Sequence, residues 1–284
     1  MSTPPKDFEL IKMPSKFQHD QPGLYSLKNL PQRQSISDSC MDTGWWEMDQ
    51  IFKFYPGQFV ICTGLPGHGK STFVLNMLVN LAKKRGARSF MFVPENEAHL
   101  RDKLKRIWGD DDGFEYFCSD QCFVQSAVYE SHDAHPQTLD WVLAEAVIAI
   151  QKSSVDFLLI DPWNELEWAK AKDQTMTEYI AESLKLLKFF ARKHSVTIIV
   201  VAHPTKARVA GSGPVTLADI EGSMHWYNKC DNGLIVEREK GGNTAKVVSA
   251  KVREQGAGKV GSCYFYVDPE SERFTPQHGG VDAF

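Results

Sequence analysis

Short apolar runs alternate with longer amphipathic stretches along most of the chain. Residues 58–64 (QFVICTG) read as a short buried strand, and residues 71–86 (STFVLNMLVNLAKKRG) as a helix that ends in basic residues and a glycine. Residues 88–94 (RSFMFVP) form a second strand and residues 137–153 (QTLDWVLAEAVIAIQKS) a long helix. A third strand over 155–161 (VDFLLID), a helix over 177–194 (TEYIAESLKLLKFFARKH) and a fourth strand over 196–203 (VTIIVVAH) follow. Strands that alternate with helices imply right-handed crossovers and a parallel sheet covered on both faces. Residues 232–238 (NGLIVER), 245–251 (AKVVSAK) and 262–268 (SCYFYVD) come in succession with glycine-bearing turns, and read as an antiparallel extension. Residues 1–38 are polar and punctuated by proline, an arm or linker with at most a short helix near Leu24 to Leu30. The expected organisation is this arm followed by one α/β domain over 39–284.

Composition narrows the class. Of the 284 residues 42% are hydrophobic and 24% charged, which suits a globular protein with a sizeable core. A net charge of -4 argues against a uniformly basic nucleic-acid coat but leaves room for a local basic lining. Cys40, Cys62, Cys118, Cys122, Cys230 and Cys263 are scattered, as reduced cysteines of a cytosolic protein are. Cys118 and Cys122 could share a zinc ion, but no second ligand pair has matching spacing. No run approaches the ~18 apolar residues of a membrane span, and the first residues lack an apolar signal core. The expected location is the cytoplasm, or the host cytoplasm for a phage protein, with no membrane partner.

The strongest chemical signal is Gly64-Leu65-Pro66-Gly67-His68-Gly69-Lys70-Ser71, which fills every fixed position of G-x-x-x-x-G-K-[ST] between a strand and a helix. Glycines let backbone N–H groups turn inward around phosphate oxygens, and the helix N-terminus adds its positive dipole. The residues expected to cradle the triphosphate are Gly64, Pro66, Gly67, His68, Gly69, Lys70, Ser71 and Thr72. Lys70 reaches the β- and γ-phosphates of ATP, and the Ser71 hydroxyl binds Mg²⁺.

The carboxylates follow from strand ends. Asp161 closes an apolar strand in the Walker B manner and is the second group expected to hold Mg²⁺, through water; an acid capping a strand end is the bland alternative. Pro162 occupies the next position, where many P-loop ATPases place the catalytic glutamate, so the base comes from elsewhere. Glu95 emerges at the end of the second strand, the edge where ligands bind in an open α/β sheet, and could polarise the attacking water. Glu97 is the alternative, and a structural role for Glu95 another. His203 ends the fourth strand, where a side chain could touch the γ-phosphate; from position alone it is as well a structural histidine.

In this order, several further stretches resemble one family, the hexameric replicative helicases of the DnaB type, and within it the branch of the phage primase-helicase and mitochondrial Twinkle. They are Thr43-Gly44-Trp45, Pro56-Gly57-Gln58-Phe59-Val60, Glu95-Asn96, Asp161-Pro162-Trp163-Asn164 and Ala202-His203-Pro204. Asp219-Ile220-Glu221-Gly222-Ser223, Asp231-Asn232-Gly233 and Lys251-Val252-Arg253 with Gly256 and Gly258 complete the set. The resemblance spans roughly residues 42 to 278 and implies a RecA-like P-loop core. It makes Glu95 the catalytic glutamate and His203 the γ-phosphate sensor. It makes Lys251 and Arg253 the lysine and arginine finger that reach the nucleotide of the next subunit. Without it, this pair reads as solvated charges. Arg238 resembles an arginine that stacks on adenine, whereas Val267, with Tyr266 beside it, stands where an aromatic base contact is expected.

The resemblance also implies a partner, single-stranded DNA. Residues 204–214 (PTKARVAGSGP) and 219–229 (DIEGSMHWYNK) correspond to loops that line the central channel, with Lys206, Arg208, Ser223, Asn228 and Lys229 as candidate phosphate contacts. Lys170 and Lys172 form a third candidate stretch; each lone lysine is equally a surface charge. The expected assembly is a homo-oligomeric ring, a hexamer, with a primase, polymerase or loader as further partners. Two other readings share the ATP motifs: a RecA-type recombinase that coats DNA as a filament, and a regulator that uses ATP only as an assembly switch.

Overall fold

In the computed structural model the described residues are 27–29, 35–126, 136–210, 213–222, 224–239 and 241–283. The chain divides into two units, Met1–Gln34 and Ser35–Phe284. Of the first, only a 3₁₀ turn at Leu27–Asn29 is described, so most of the short helix expected near Leu24 to Leu30 lies outside the described residues.

The second unit is built on one nine-stranded sheet: β1 (Phe59–Thr63), β2 (Ser89–Phe92), β3 (Cys122–Gln125), β4 (Phe157–Ile160), β5 (Thr197–Val201), β6 (Asn232–Arg238), β7 (Thr244–Val252), β8 (Gly261–Val267) and β9 (Phe274–Ala283). Their order is β3-β2-β4-β5-β1-β6-β7-β8-β9. The first six in this order are parallel and the last three antiparallel, as expected. β3 and β9 are additions to the sequence reading, and so is the helix Glu97–Trp108, which starts shortly after Glu95.

The apolar runs are continuous because both faces of the parallel strands are buried. Alternate residues divide between two cores. Val60, Cys62, Met91, Leu159 and Val201 join Phe73 and Leu78 of the helix Lys70–Arg85. Phe59, Ile61, Phe92, Ile160 and Val200 join Leu143 of the helix Leu139–Ser153 and Leu184 of the helix Met176–His194. Local chemistry sets the helix ends. The Thr138 hydroxyl accepts from the Trp141 N–H, Thr175 and Glu178 form a reciprocal capping box, and Gly86 leaves the phosphate-loop helix at φ 66°.

The antiparallel end of the sheet grips the phosphate-loop helix. The Phe73 ring stacks on Trp45 at 5.5 Å and meets Phe265 at 5.6 Å and Phe274 at 5.3 Å edge-on. The Asn76 side chain donates to the Glu272 carbonyl at 3.0 Å and accepts from the Phe274 N–H at 3.1 Å. A Phe73→Ala variant is expected to lose about 3–5 kcal/mol of stability, and Phe73→Leu much less, in urea denaturation. Equal losses for the two would mean that the aromatic cluster is not what seats this helix.

Candidate active site

Parallel registration puts four strand ends on one edge. Phe92 pairs with Ile160, Ile160 with Val200, and Cys62 with Val201. The segments that follow β1, β2, β4 and β5 therefore emerge together, and they carry the phosphate loop, Glu95, Asp161 and His203. The loop itself needs its glycines. Gly64 sits at φ 147°, and a Cβ there would lie 2.1 Å from the Val236 carbonyl oxygen. Gly69 precedes the helix Lys70–Arg85 at φ 86°, so the first-turn N–H groups of Ser71 and Thr72 face the loop's interior.

The charged groups of this edge lie close together in a poorly solvated space. The Ser71 hydroxyl donates to Asp161 Oδ1 at 3.0 Å. Asp161 is 2% exposed, and burial pushes its carboxyl up to about 6 against the opposing pull of the Ser71 hydrogen bond and the Lys70 charge. The buried Lys70 ammonium donates to the Leu65 carbonyl at 3.1 Å, and burial holds its pKa below the usual lysine range. His203 is half-buried and lowered in turn, first by burial and then by Lys70. Its Nδ1 is buried without a hydrogen-bond partner. A hydroxyl beside a carboxylate is a set of hard oxygen donors that suits Mg²⁺. The glycine-lined loop with its lysine suits a polyphosphate. Glu95 is exposed in a 3₁₀ turn at Pro94–Asn96 rather than at a strand end, and its charge acts on both Lys70 and Asp161.

His68 and Arg238 meet at the loop's far side. The Arg238 N–H donates to His68 Nδ1 at 3.1 Å, so that nitrogen is the imidazole's acceptor. The Arg238 guanidinium turns to the β6–β7 connection, donating to the Gly242 carbonyl at 3.2 Å and to Asn243 Oδ1 at 3.4 Å. Val267 is buried, and Tyr266 beside it is exposed.

Lys251 and Arg253 lie elsewhere. Lys251 pairs with Gly233 and Val252 with Asn232, which itself pairs with Val60 near the start of β1. They stand at the sheet edge opposite the phosphate loop. The Lys251 ammonium donates to the Tyr227 carbonyl and, at 3.3 Å, to that of Asn228. Arg253 donates to the carbonyls of Asn228 at 3.1 Å and Cys230 at 3.3 Å, and pairs with Asp231 at 3.1 Å.

The two candidate DNA segments are joined beneath His203. The Glu221 N–H donates to the His203 carbonyl at 3.1 Å, and the Thr205 N–H to that of Asp219 at 2.8 Å. The His203 N–H donates to Asn164 Oδ1 at 3.3 Å, and Asn164 Nδ2 to Glu221 Oε2 at 3.4 Å. Asn164 and Glu221 appear in the sequence only as members of longer motifs, and no pattern marked them as partners. Lys206 and Asn228 are exposed, and Lys229 is half-buried. Arg208 turns back on its own loop, towards Asp219 and the Pro214 carbonyl. Ser223 lies outside the described residues. Lys170 and Lys172 are exposed, and Lys170 donates to the Gln174 carbonyl at 2.8 Å.

Comparison with known proteins bears on the family and the fold. The AAA domain family matches residues 51–209, more than half of the chain. That stretch contains the phosphate loop, Glu95, Asp161 and His203 and ends before Lys251 and Arg253. The Twinkle homolog protein, chloroplastic/mitochondrial, of Arabidopsis thaliana is 32% identical over 251 residues, covering 80% of this chain. This chain spans only 35% of that protein's length. Among solved structures, one ATPase domain superposes with a TM-score of 0.68 at 19% identity, covering 84% of this chain and 91% of that one. A DnaB-like replicative helicase, solved in a study of its interactions with primase, gives 0.66 at 19%, covering 82% of this chain and 61% of that one. With a complete phosphate loop seated in that RecA-like fold, the chain belongs to the AAA domain family of nucleotide-binding proteins.

Proposed function

We propose that this chain is the ATP-hydrolysing motor of a ring-forming replicative DNA helicase that moves along single-stranded DNA. The observation that carries the reading is the separation of Lys251 and Arg253 from the chain's own phosphate loop. A cation pair at the opposite edge of the sheet serves hydrolysis only if a second subunit brings its phosphate loop to it. A ring, a hexamer in this reading, repeats that contact at every interface. The kinship with a Twinkle homolog and the likeness to a DnaB-like replicative helicase support the same assembly. Primase, polymerase or loader would be its further partners, and the cytoplasm, or a host's cytoplasm for a phage protein, its compartment. Among the described residues no helix is long and apolar enough to cross a membrane.

In this mechanism the loop N–H groups and Lys70 hold the triphosphate and screen its charge. Ser71 and Asp161 would hold Mg²⁺, which when bound neutralises charge on the β- and γ-phosphates. Glu95 orients and polarises the attacking water. Arg253 of one subunit, with Lys251, stabilises charge on the phosphoryl group transferred in the next. Arg238, whose backbone N–H holds His68 of the loop, would turn its guanidinium from Gly242 to contact the adenine. His203 reports loss of the γ-phosphate through its backbone bonds to Asn164 and Glu221. Residues 204–214 and 219–229 then shift on the DNA backbone, gripped by Lys206, Arg208, Ser223, Asn228 and Lys229 without reading sequence.

Two outcomes test this. Lys70→Ala is expected to abolish ATP hydrolysis in a phosphate-release assay, and full activity would overturn the assignment of the loop. Arg253→Ala is expected to lower turnover by about 10³-fold or more while leaving nucleotide binding near wild type. Mixed with Glu95→Gln subunits it should recover turnover, because each partner supplies what the other lacks. Absence of recovery, or equal ATPase rates with and without single-stranded DNA, would count against the intersubunit motor.

A further inference from the structure

Asp231 is an acid at the edge opposite the phosphate loop, and it is 1% exposed and surrounded by cations. Its Oδ1 accepts from Lys188 at 2.6 Å, pairs with Arg253 Nε at 3.1 Å and lies 3.7 Å from Arg192. Its Oδ2 accepts from the Phe59 N–H at 3.0 Å, and its own N–H donates to the Phe59 carbonyl at 2.8 Å. The backbone is tied as well, since the Arg253 N–H donates to the Asp231 carbonyl at 3.0 Å. One carboxylate therefore joins the side chain of Arg253 to the first residue of β1.

We propose that Asp231 is a positioning residue for hydrolysis in the adjacent subunit: it fixes Arg253 to the amino end of the strand whose carboxyl end carries this subunit's own phosphate loop. The proposal rests on the reading of Arg253 as the arginine offered to the next subunit. Geometry supports it in four ways. The carboxylate engages the Nε side of the guanidinium, and the Asn228 and Cys230 carbonyls take Nη2, so the planar group is held in one orientation. The Arg253 side chain is nevertheless 39% exposed, as a group offered across an interface must be. Lys188 and Arg192 add two positive charges beside the same carboxylate, so the cluster as a whole stays cationic and suited to a polyphosphate. β1 is five residues long, spans about 17 Å and is buried throughout, so it can neither bend nor slide without disturbing both cores. It makes a stiff link between the nucleotide a subunit holds and the arginine that subunit presents.

The test is steady-state ATPase of the full chain with single-stranded DNA. Asp231→Asn keeps the shape and the backbone partner but loses the charge. It is expected to lower kcat by about tenfold to a hundredfold, as misplacement of a catalytic group does, with the KM for ATP within about twofold of wild type. Mixing Asp231→Asn with Glu95→Gln subunits is expected to recover turnover, because the latter present an undisturbed Arg253. A purely structural role would not produce that recovery. The double variant Asp231→Asn/Lys188→Met, which removes one stranded cation, separates folding from positioning: its thermal midpoint should rise while kcat stays low. Wild-type kcat in either variant would overturn the proposal. So would an unrecovered mixture under conditions where Arg253→Ala and Glu95→Gln subunits do complement each other. If that reference pair fails too, the intersubunit reading falls and the role of Asp231 with it.

Discussion

The parallel registration of β1, β2, β4 and β5 is the constraint on which the rest of the site depends. Four strands that run the same way and are buried on both faces must deliver their following segments to one edge, and the order of the strands fixes which segments are neighbours. β5 lies between β1 and β4 and keeps the Walker B strand one place away from the phosphate loop. Even so, Ser71 and Asp161 meet at 3.0 Å, because the loop turns back across the edge into the helix Lys70–Arg85. β7 pairs antiparallel with β6, and that reversal leaves Lys251 and Arg253 at the far edge. On the proposed function, the sheet's topology thus sets both what one subunit can assemble by itself and what it would receive from another.

Burial gives this edge its electrostatic character. Lys70 and Asp161 are each pushed towards neutrality by desolvation, and each is drawn back by the other's charge. Two opposite charges in a poorly solvated space are costly to keep there, and a hydrogen bond from Ser71 and a carbonyl from Leu65 offset only part of that cost. On the proposed function a triphosphate with its metal ion completes the balance, as an anion for Lys70 and a cation for Asp161. His203 belongs to the same balance: its unpartnered buried Nδ1 and its sensitivity to the Lys70 charge place it within the field of whatever the loop holds.

Much of the fold was legible in the sequence, and the reason is physical. Continuous apolar runs mark strands buried on both faces, and each such run between residues 58 and 203 became a parallel strand. The elements that escaped notice are those whose pattern is diluted. β3, CFVQ, is only partly buried at the sheet's edge, and β9 contains Pro276, Gly279 and Gly280. The helix Glu97–Trp108 buries only Leu100, Leu104, Ile107 and Trp108 in a charged sequence, and it follows a Pro-Glu-Asn segment that looks like the end of a strand. At the site the phosphate loop announced itself because its chemistry demands fixed residues at fixed spacing. Asp231, Asn164 and Asn76 did not, because each is tied to a partner far along the chain: Asp231 to Phe59, 172 residues away, Asn164 to His203, 39 away, and Asn76 to Phe274, 198 away. Spacing cannot encode a contact that only the sheet's topology creates.

Contacts of that kind also connect the two edges of the sheet. The His203 N–H is held by Asn164, from the segment after β4, and its carbonyl by Glu221, so the strand end and the second candidate DNA segment are fastened across one peptide plane on each side. Glu221 in turn offers its carbonyl to the Trp226 indole at 3.0 Å, and Trp226 is buried against Trp163. The short helix that contains Trp226, His225–Lys229, closes with carbonyls that accept from Lys251, Arg253 and Lys188. A displacement of His203 therefore has a continuous path, through groups with fixed partners, to the cation pair at the opposite edge. β1 provides a second connection between the same two edges, from the phosphate loop through Phe59 to Asp231. Two stiff routes between the same two edges restrict their relative motion to concerted shifts, which on the proposed function would let a subunit offer Arg253 to a neighbour in step with the state of its own phosphate loop.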